Sequence, residues 1–218
     1  MTTSGITAWS LTAREVVEQA LAQLGVTGLG ESPDASEMTY ALFQLNGLIK
    51  SWQGGLHLET TGTVTIPAAS PSGELAADVQ EIISARHSGT TERQLARFGR
   101  DDYLILPNKA AVGVPTVFYV SNQRDATVMY VWPVPPAQTV LTIDYRRKPD
   151  TITSAAETVD FPEEYQEALI ANLAVRLMGR YGDGINQLTV SELTQRAERL
   201  RVQMEDVERP ASYMLGGI

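Results

Sequence analysis

The sequence predicts an α+β protein. Its four-helix bundle, formed by N- and C-terminal helix pairs, carries an inserted small antiparallel β-module and an extended C-terminal tail. Three observations predict it. Apolar residues recur at helical spacing only near the two ends of the chain, whereas the middle alternates in β-branched residues between turn signals. The last nine residues, Pro210 to Ile218, carry no charged side chain and follow a heavily charged helix. The expected division is 1–55 with 156–209 as the bundle, 56–155 as the β-module and 210–218 as the tail.

Thr12, Ala13, Arg14 and Glu15 read as a capping box, with Leu11 and Val16 at the positions of a hydrophobic staple. The first helix runs on through Ala20, Leu21 and Leu24 to Gly25. A second begins near Ser32, with Pro33 at its first position. Met38, Ala41, Leu42, Leu45, Leu48, Ile49 and Trp52 hold a spacing of three to four until Gly54 and Gly55. In the middle, Thr61–Ile66, Gln80–His87, Thr116–Val120, Thr127–Trp132 and Thr139–Arg146 read as strands. Ala68–Asp78 reads as a loop and Arg100–Leu104 as a short helix. Pro133, Pro135 and Pro136 end the fourth strand, because proline has no N–H for the ladder.

The third long helix starts at Pro162, with Glu163 and Glu164 in the turn where the helix dipole favours acids. Tyr165, Leu169, Leu173, Leu177 and Tyr181 line one face, and Ile170, Val175 and Met178 help widen it into a second. Such a helix is central in a bundle or lies between subunits. The last helix opens at a capping box, Thr189 to Glu192. It shows a narrow coiled-coil-like seam of Leu193, Ala197, Leu200, Met204 and Val207. Pro210 stops it. The tail beyond holds Tyr213, Met214, Leu215 and Ile218, too apolar for a solvated end, and so reads as docking on its own body or on a partner.

With 218 residues, 43% hydrophobic and 20% charged, the chain has the composition of a folded domain. Its net charge of −9 argues against a tight grip on nucleic acid. It has no cysteine, hence no disulfide, thiol nucleophile or cysteine zinc site. Neither a signal peptide nor a membrane span is visible. The two histidines, His57 and His87, lack any metal-ligand spacing, and no cofactor motif is present. Adjacent acids at Asp101–Asp102, Glu163–Glu164 and Glu205–Asp206 would point to different helix faces, which does not suit paired-carboxylate catalysis. Asp183 and Gly184 read as a turn. Arg146, Arg147 and Lys148 form a basic cluster, either a solvated strand end or a contact for DNA or an acidic partner. Tyr103, Tyr119, Tyr130, Trp132 and Tyr145 form either module core or an aromatic platform.

Four stretches together resemble a known family. They are Leu45-Asn46 with Trp52 and Gly55-Leu56; Gly113-Val114-Pro115-Thr116; Trp132-Pro133-Val134-Pro135; and Phe161-Pro162-Glu163-Glu164-Tyr165 with Asn172 and Tyr181-Gly182. The sequence is similar to the head-to-tail adaptors of short-tailed bacteriophages, the packaged-DNA stabilisation or tail accessory proteins akin to tail tubular protein A. The resemblance implies a non-enzymatic subunit of a twelve-membered ring at the head–tail junction of the virion, made in the bacterial host cytoplasm. It implies a phage portal protein on one side and a downstream tail or nozzle protein on the other, with transient contact to double-stranded DNA in the channel and no membrane. Tyr213, Met214, Leu215 and Ile218 would then dock on the portal, and Ile170, Val175 and Met178 would pack subunits together. Two other classes stay open at this stage. One is a peptidoglycan hydrolase using Asp101, Asp102, Glu163 or Glu164. The other is a carbohydrate- or receptor-binding module built around Trp132.

Overall fold

The computed structural model describes residues 9–28, 31–52, 58–88, 92–124, 126–182 and 185–207, with side chains through Met204. It divides into two compact units, Met1–Leu56 with Pro149–Ile218, and His57–Lys148.

The first unit is helical. α1 (Ala13–Gln23) starts where the capping box sits: the Thr12 hydroxyl accepts from the Glu15 amide at 3.3 Å, and Glu15 accepts from the Thr12 amide at 2.7 Å. Two further first-turn amides, of Ala13 and Arg14, donate to the carbonyls of Glu157 (2.8 Å) and Ala155 (2.9 Å). α2 spans Ala35–Trp52. Its start differs from the expectation, because Asp34 and not Pro33 sets it. The Asp34 carboxylate accepts from the amides of Ser36 (2.7 Å) and Glu37 (2.8 Å), and Glu37 reaches back to the Asp34 amide at 3.0 Å. Pro33 precedes the cap and is buried, as is Met38, the pairing that a hydrophobic staple requires.

A single 3-10 turn (Glu163–Tyr165) leads into α4 (Gln166–Tyr181), and α5 covers Gln187–Val207. α5 also begins earlier than its Thr189 box suggests. Asn186 caps it, accepting from the Leu188 amide at 3.0 Å. α4 is the hub, packing against α1, α2 and α5, whereas α5 makes no substantial contact with α1 or α2. Within α4, Ala168, Leu169, Ile170, Ala171, Leu173, Ala174 and Leu177 are all buried. The seam of α5 is narrower, with Ala197 at 2% and Met204 at 3% exposure.

The second unit holds β1 (Leu58–Ile66), β2 (Ser72–Glu74), β3 (Val79–His87), β4 (Ala96–Arg97), α3 (Arg100–Leu104), β5 (Val117–Asn122), β6 (Thr127–Trp132) and β7 (Thr139–Arg147). They form a three-stranded sheet, β1-β7-β3, and a four-stranded sheet, β2-β6-β5-β4, in which β4 and β5 run parallel. One core serves both sheets, including Ile66, Ile82, Phe118, Met129, Leu141 and Ile143.

The expected fold is therefore corrected. The protein is α+β with two sheets and five helices among the described residues, not a four-helix bundle with a small antiparallel insert. Two physical reasons account for the difference. The insert buries enough Val, Ile, Leu and Phe to close two sheets over a core of its own. The seam on α5 is one residue wide and meets one helix, so the helices form a cluster around α4 with α5 on its outer side.

Asp144 ties the three strands of the first sheet. Its carboxylate accepts from Thr61 on β1 (2.8 Å), from Ser84 on β3 (2.7 Å) and from the Arg86 guanidinium on β3. The Ser84, Arg86 and Thr61 hydrogen bonds hold its pKa down at about 2. Because the folded value lies below the unfolded one, this stabilisation is present above about pH 4 and is lost as the pH falls toward 2. Full linkage for such a shift is about 2.6 kcal/mol, and the side chain is 32% exposed, so about 1 kcal/mol is expected after screening. Asp144→Asn should cost that amount at pH 7 and flatten the acid limb of a urea-midpoint profile between pH 5 and pH 2. An unchanged limb would remove Asp144 from the account.

Candidate docking surfaces

The residues that carried the family resemblance meet in pairs. Asn46 on α2 clamps the chain at Ile152: its side-chain amide donates to the Ile152 carbonyl, and its oxygen accepts from the Ile152 amide, both at 2.9 Å. Trp52 packs on Phe161 with ring centroids 5.9 Å apart. Asn172 joins α4 to α5 by donating to the Ala197 carbonyl at 3.0 Å. In the second unit, the Gly113 amide donates to the Val134 carbonyl (2.9 Å) and the Thr116 amide to the Trp132 carbonyl (2.9 Å). Two motifs far apart in sequence thereby become one loop–strand junction. A Cβ at Gly113 would lie 3.3 Å from the Pro133 ring, so this junction is tight.

That junction presents a surface the sequence did not advertise. Leu104 (51%), Ile105 (78%), Val112 (69%) and Val114 (56%) are exposed on α3 and the segment after it. Beside them lies an apolar groove of about 510 Å³, walled by Pro71, Tyr103, Lys109, Val112, Tyr130 and Pro135. Tyr103 and Tyr130 form its aromatic wall, and Tyr119 stacks on both, with centroids 5.6 to 5.9 Å apart. Burial, and then the neighbouring Tyr130, push the Tyr103 phenol above its ordinary pKa, so it stays neutral. Its only trace in the sequence is Val112 and Val114 in a short stretch between Pro107 and Pro115, too short to form a helix.

The other aromatic candidates serve the fold. The Trp132 indole donates to the Asn108 carbonyl at 2.8 Å and anchors that same segment. Tyr145 is 8% exposed and donates to Asp78 at 3.0 Å.

The basic cluster is held in place. Arg146 pairs with Glu81 at 3.1 Å and Glu59 at 3.8 Å, and Lys148 donates to the Ala77 carbonyl at 3.1 Å. Arg147 lies next to them on β7. Among the interface candidates on α4, Ile170 is already buried by its own chain at 7% exposure, while Val175 and Met178 are half-buried.

Tyr213, Met214, Leu215 and Ile218 lie outside the described residues, as do His57, Asp183, Gly184 and the side chains of Glu205 and Asp206. Asp102 accepts from the Gly99 amide at 3.3 Å at the start of α3, and Glu163 accepts from the Trp9 amide at 2.7 Å. Both carboxylates thus hold backbone. His87 faces the Pro115 carbonyl at 2.9 Å. Among the described residues no group of three His, Asp or Glu side chains could hold a metal ion, and no helix is long and apolar enough to cross a membrane.

Charge is divided between the two units. The β unit carries nine basic and nine acidic side chains, the helical unit eight and seventeen, so the whole net charge of −9 resides on the helical unit.

The family model of the SU10 adaptor protein matches residues 11–214. This chain belongs to the SU10 adaptor protein family. Among solved structures, the adaptor is similar to a chain from the neck of an empty GTA particle computed with C6 symmetry. The two are 16% identical over 90% of this chain and 95% of that one, with a TM-score of 0.30. No curated protein matches it.

Proposed function

We propose that this adaptor is a structural, non-catalytic subunit of a ring that joins the portal of a phage head to its tail, extends the DNA channel and helps retain packaged DNA. The family match over residues 11–214 carries the reading. The finer points, a short-tailed phage and twelve copies, rest on the sequence resemblance alone.

Two features of the molecule support it. An acidic helical unit suits a channel wall, because it repels phosphate and lets DNA slide without sticking. The exposed apolar side chains around Ile105 and Val112 suit a platform for the next tail component, since large exposed apolar patches mark protein contacts. In this reading Val175 and Met178 contact the neighbouring subunit, and the terminal residues Tyr213 to Ile218 contact the portal. Arg146, Arg147 and Lys148 are the DNA- or acidic-partner contact of the same reading, and the ion pairs of Arg146 with Glu81 and Glu59 make that contact a weak one.

The decisive measurement is the mass of the chain with and without its portal. Rings that match the portal in copy number are expected, and a monomer in the presence of saturating portal would refute the reading. The platform is tested with the double variant Ile105→Asp, Val112→Asp. It should still bind portal but lose about 30-fold in affinity for the tail protein, a hot-spot loss of about 2 kcal/mol. Unchanged tail binding would remove the platform from this surface.

A further inference from the structure

β1 is an open sheet edge, and its chemistry selects a partner. The other three edges are blunted. β3 carries register shifts at Val79/Glu81 and Ile82/Ser84, and the segment 93–95 bonds to it through His87 to Arg93 (3.0 Å) and Leu95 to Ala85 (2.8 Å). β4 has two residues and β2 three. β1 is nine residues long and pairs with β7 without a break, from Leu58↔Arg147 to Ile66↔Thr139. Among the described residues, no backbone group other than those of β7 bonds to it. Only its far end is covered: Gly73 of β2 approaches so closely that an added Cβ would lie 2.6 Å from the Thr65 carbonyl oxygen. Among the described residues, none pairs with the outer edge of Leu58 to Val64. Edges are ordinarily protected by charge, proline or a bulge, and the stretch from Thr60 to Val64 has none of these.

We propose that this edge pairs antiparallel with the β1 edge of a second copy, across a two-fold axis perpendicular to the sheet and passing by Thr61. The strand is complementary to itself about that axis. Glu59, Thr61 and Thr63 are exposed, and Thr60, Gly62 and Val64 turn inward. A perpendicular two-fold keeps the faces, so exposed residues oppose exposed ones. With Thr61 on the axis, Glu59 falls opposite Thr63, Thr60 opposite Gly62 and Leu58 opposite Val64. Like charges do not meet, and the paired side chains suit a sheet. Electrostatics permit the contact, because the nine acids of this unit balance its nine bases and no net charge opposes two copies meeting there. One strand pair is a small interface, so the dimer is a weak, concentration-dependent one. The inference concerns a separate surface and does not rest on the ring reading.

Sedimentation of the full chain over a wide concentration range tests it, together with two substitutions at the exposed Thr63. Thr63→Lys places a cation opposite Glu59 twice across the axis and should shift the dimer to roughly fivefold lower concentration. Thr63→Glu places acid opposite acid twice and should weaken it by a similar factor. Because the chain has no cysteine, Thr61→Cys should also crosslink to itself on mild oxidation, and Val140→Cys on β7 should not. Circular dichroism confirms that each variant folds. The proposal is overturned by a chain that stays monomeric at all concentrations, or by an oligomer that responds identically to Lys and Glu at 63. In the second case a portal-templated ring would still stand.

Discussion

Deleting Ser212 to Ile218 is expected to leave the fold intact and to weaken portal binding by at least about 100-fold. The described core runs from Ala13 to Met204, so it loses nothing when these residues are removed. What goes are Tyr213, Met214, Leu215 and Ile218, with no charged side chain among the seven deleted residues. Large apolar anchors of this kind carry most of the energy in an interface, at about 2 kcal/mol or more each and without strict additivity. Two such anchors lost together already correspond to about 100-fold or more. Far-ultraviolet circular dichroism should superimpose on that of the full chain, while titration against purified portal should show the loss. Tyr213→Ala and Leu215→Ala, made singly, should each reproduce part of it. A truncated chain that binds at full strength would end the docking role of this segment.

Phe118→Ala is expected to destabilise the β unit by about 3–5 kcal/mol. Phe118, 1% exposed, is among the largest fully buried side chains and lies on β5 within the core shared by the two sheets. Removing the ring leaves a cavity between layers that the paired strands cannot close without breaking their ladders. Against a typical domain stability of about 5–15 kcal/mol, the loss brings the unit close to unfolding. The helical unit has its own core around Leu169, Leu173 and Leu177, each 0% exposed, and should keep its protection. Amide hydrogen exchange separates the two outcomes: β5 and β6 should lose protection while α4 retains it. Equal loss in α4 would show that the units fold as one.

Much of the local structure was legible because it is encoded over short range. The Thr12–Glu15 box, the run to Trp52 and the strand ending at Trp132 before Pro133 each depend on neighbours in sequence, and each is present. Starts fixed by a single carboxylate or amide were misplaced. Asp34 outranks Pro33, and Asn186 outranks Thr189, because the cap is the side chain that reaches the free amides. β2 and β4 were illegible: with three residues and two, they have no periodicity and exist only because β6 and β5 lie beside them.

For the candidate surfaces the division is similar. The uncharged terminal segment and the α5 seam are properties of composition and spacing. The exposure of Ile105 and Val112, the groove beside Tyr103 and the open edge of β1 depend on which strands pair and which loops cover them.

By itself, the sequence determined where helices and strands form, where the acidic charge is concentrated along the chain and which family the chain belongs to. Only the tertiary structure decided that the middle closes into two sheets and that α4 is the hub. It also decided that Ile170 is buried by its own chain while Ile105 faces solvent. The physical reason is range. Capping and periodicity act over three or four residues, whereas burial and strand pairing join residues far apart in the chain, such as Leu58 with Arg147 and Trp52 with Phe161.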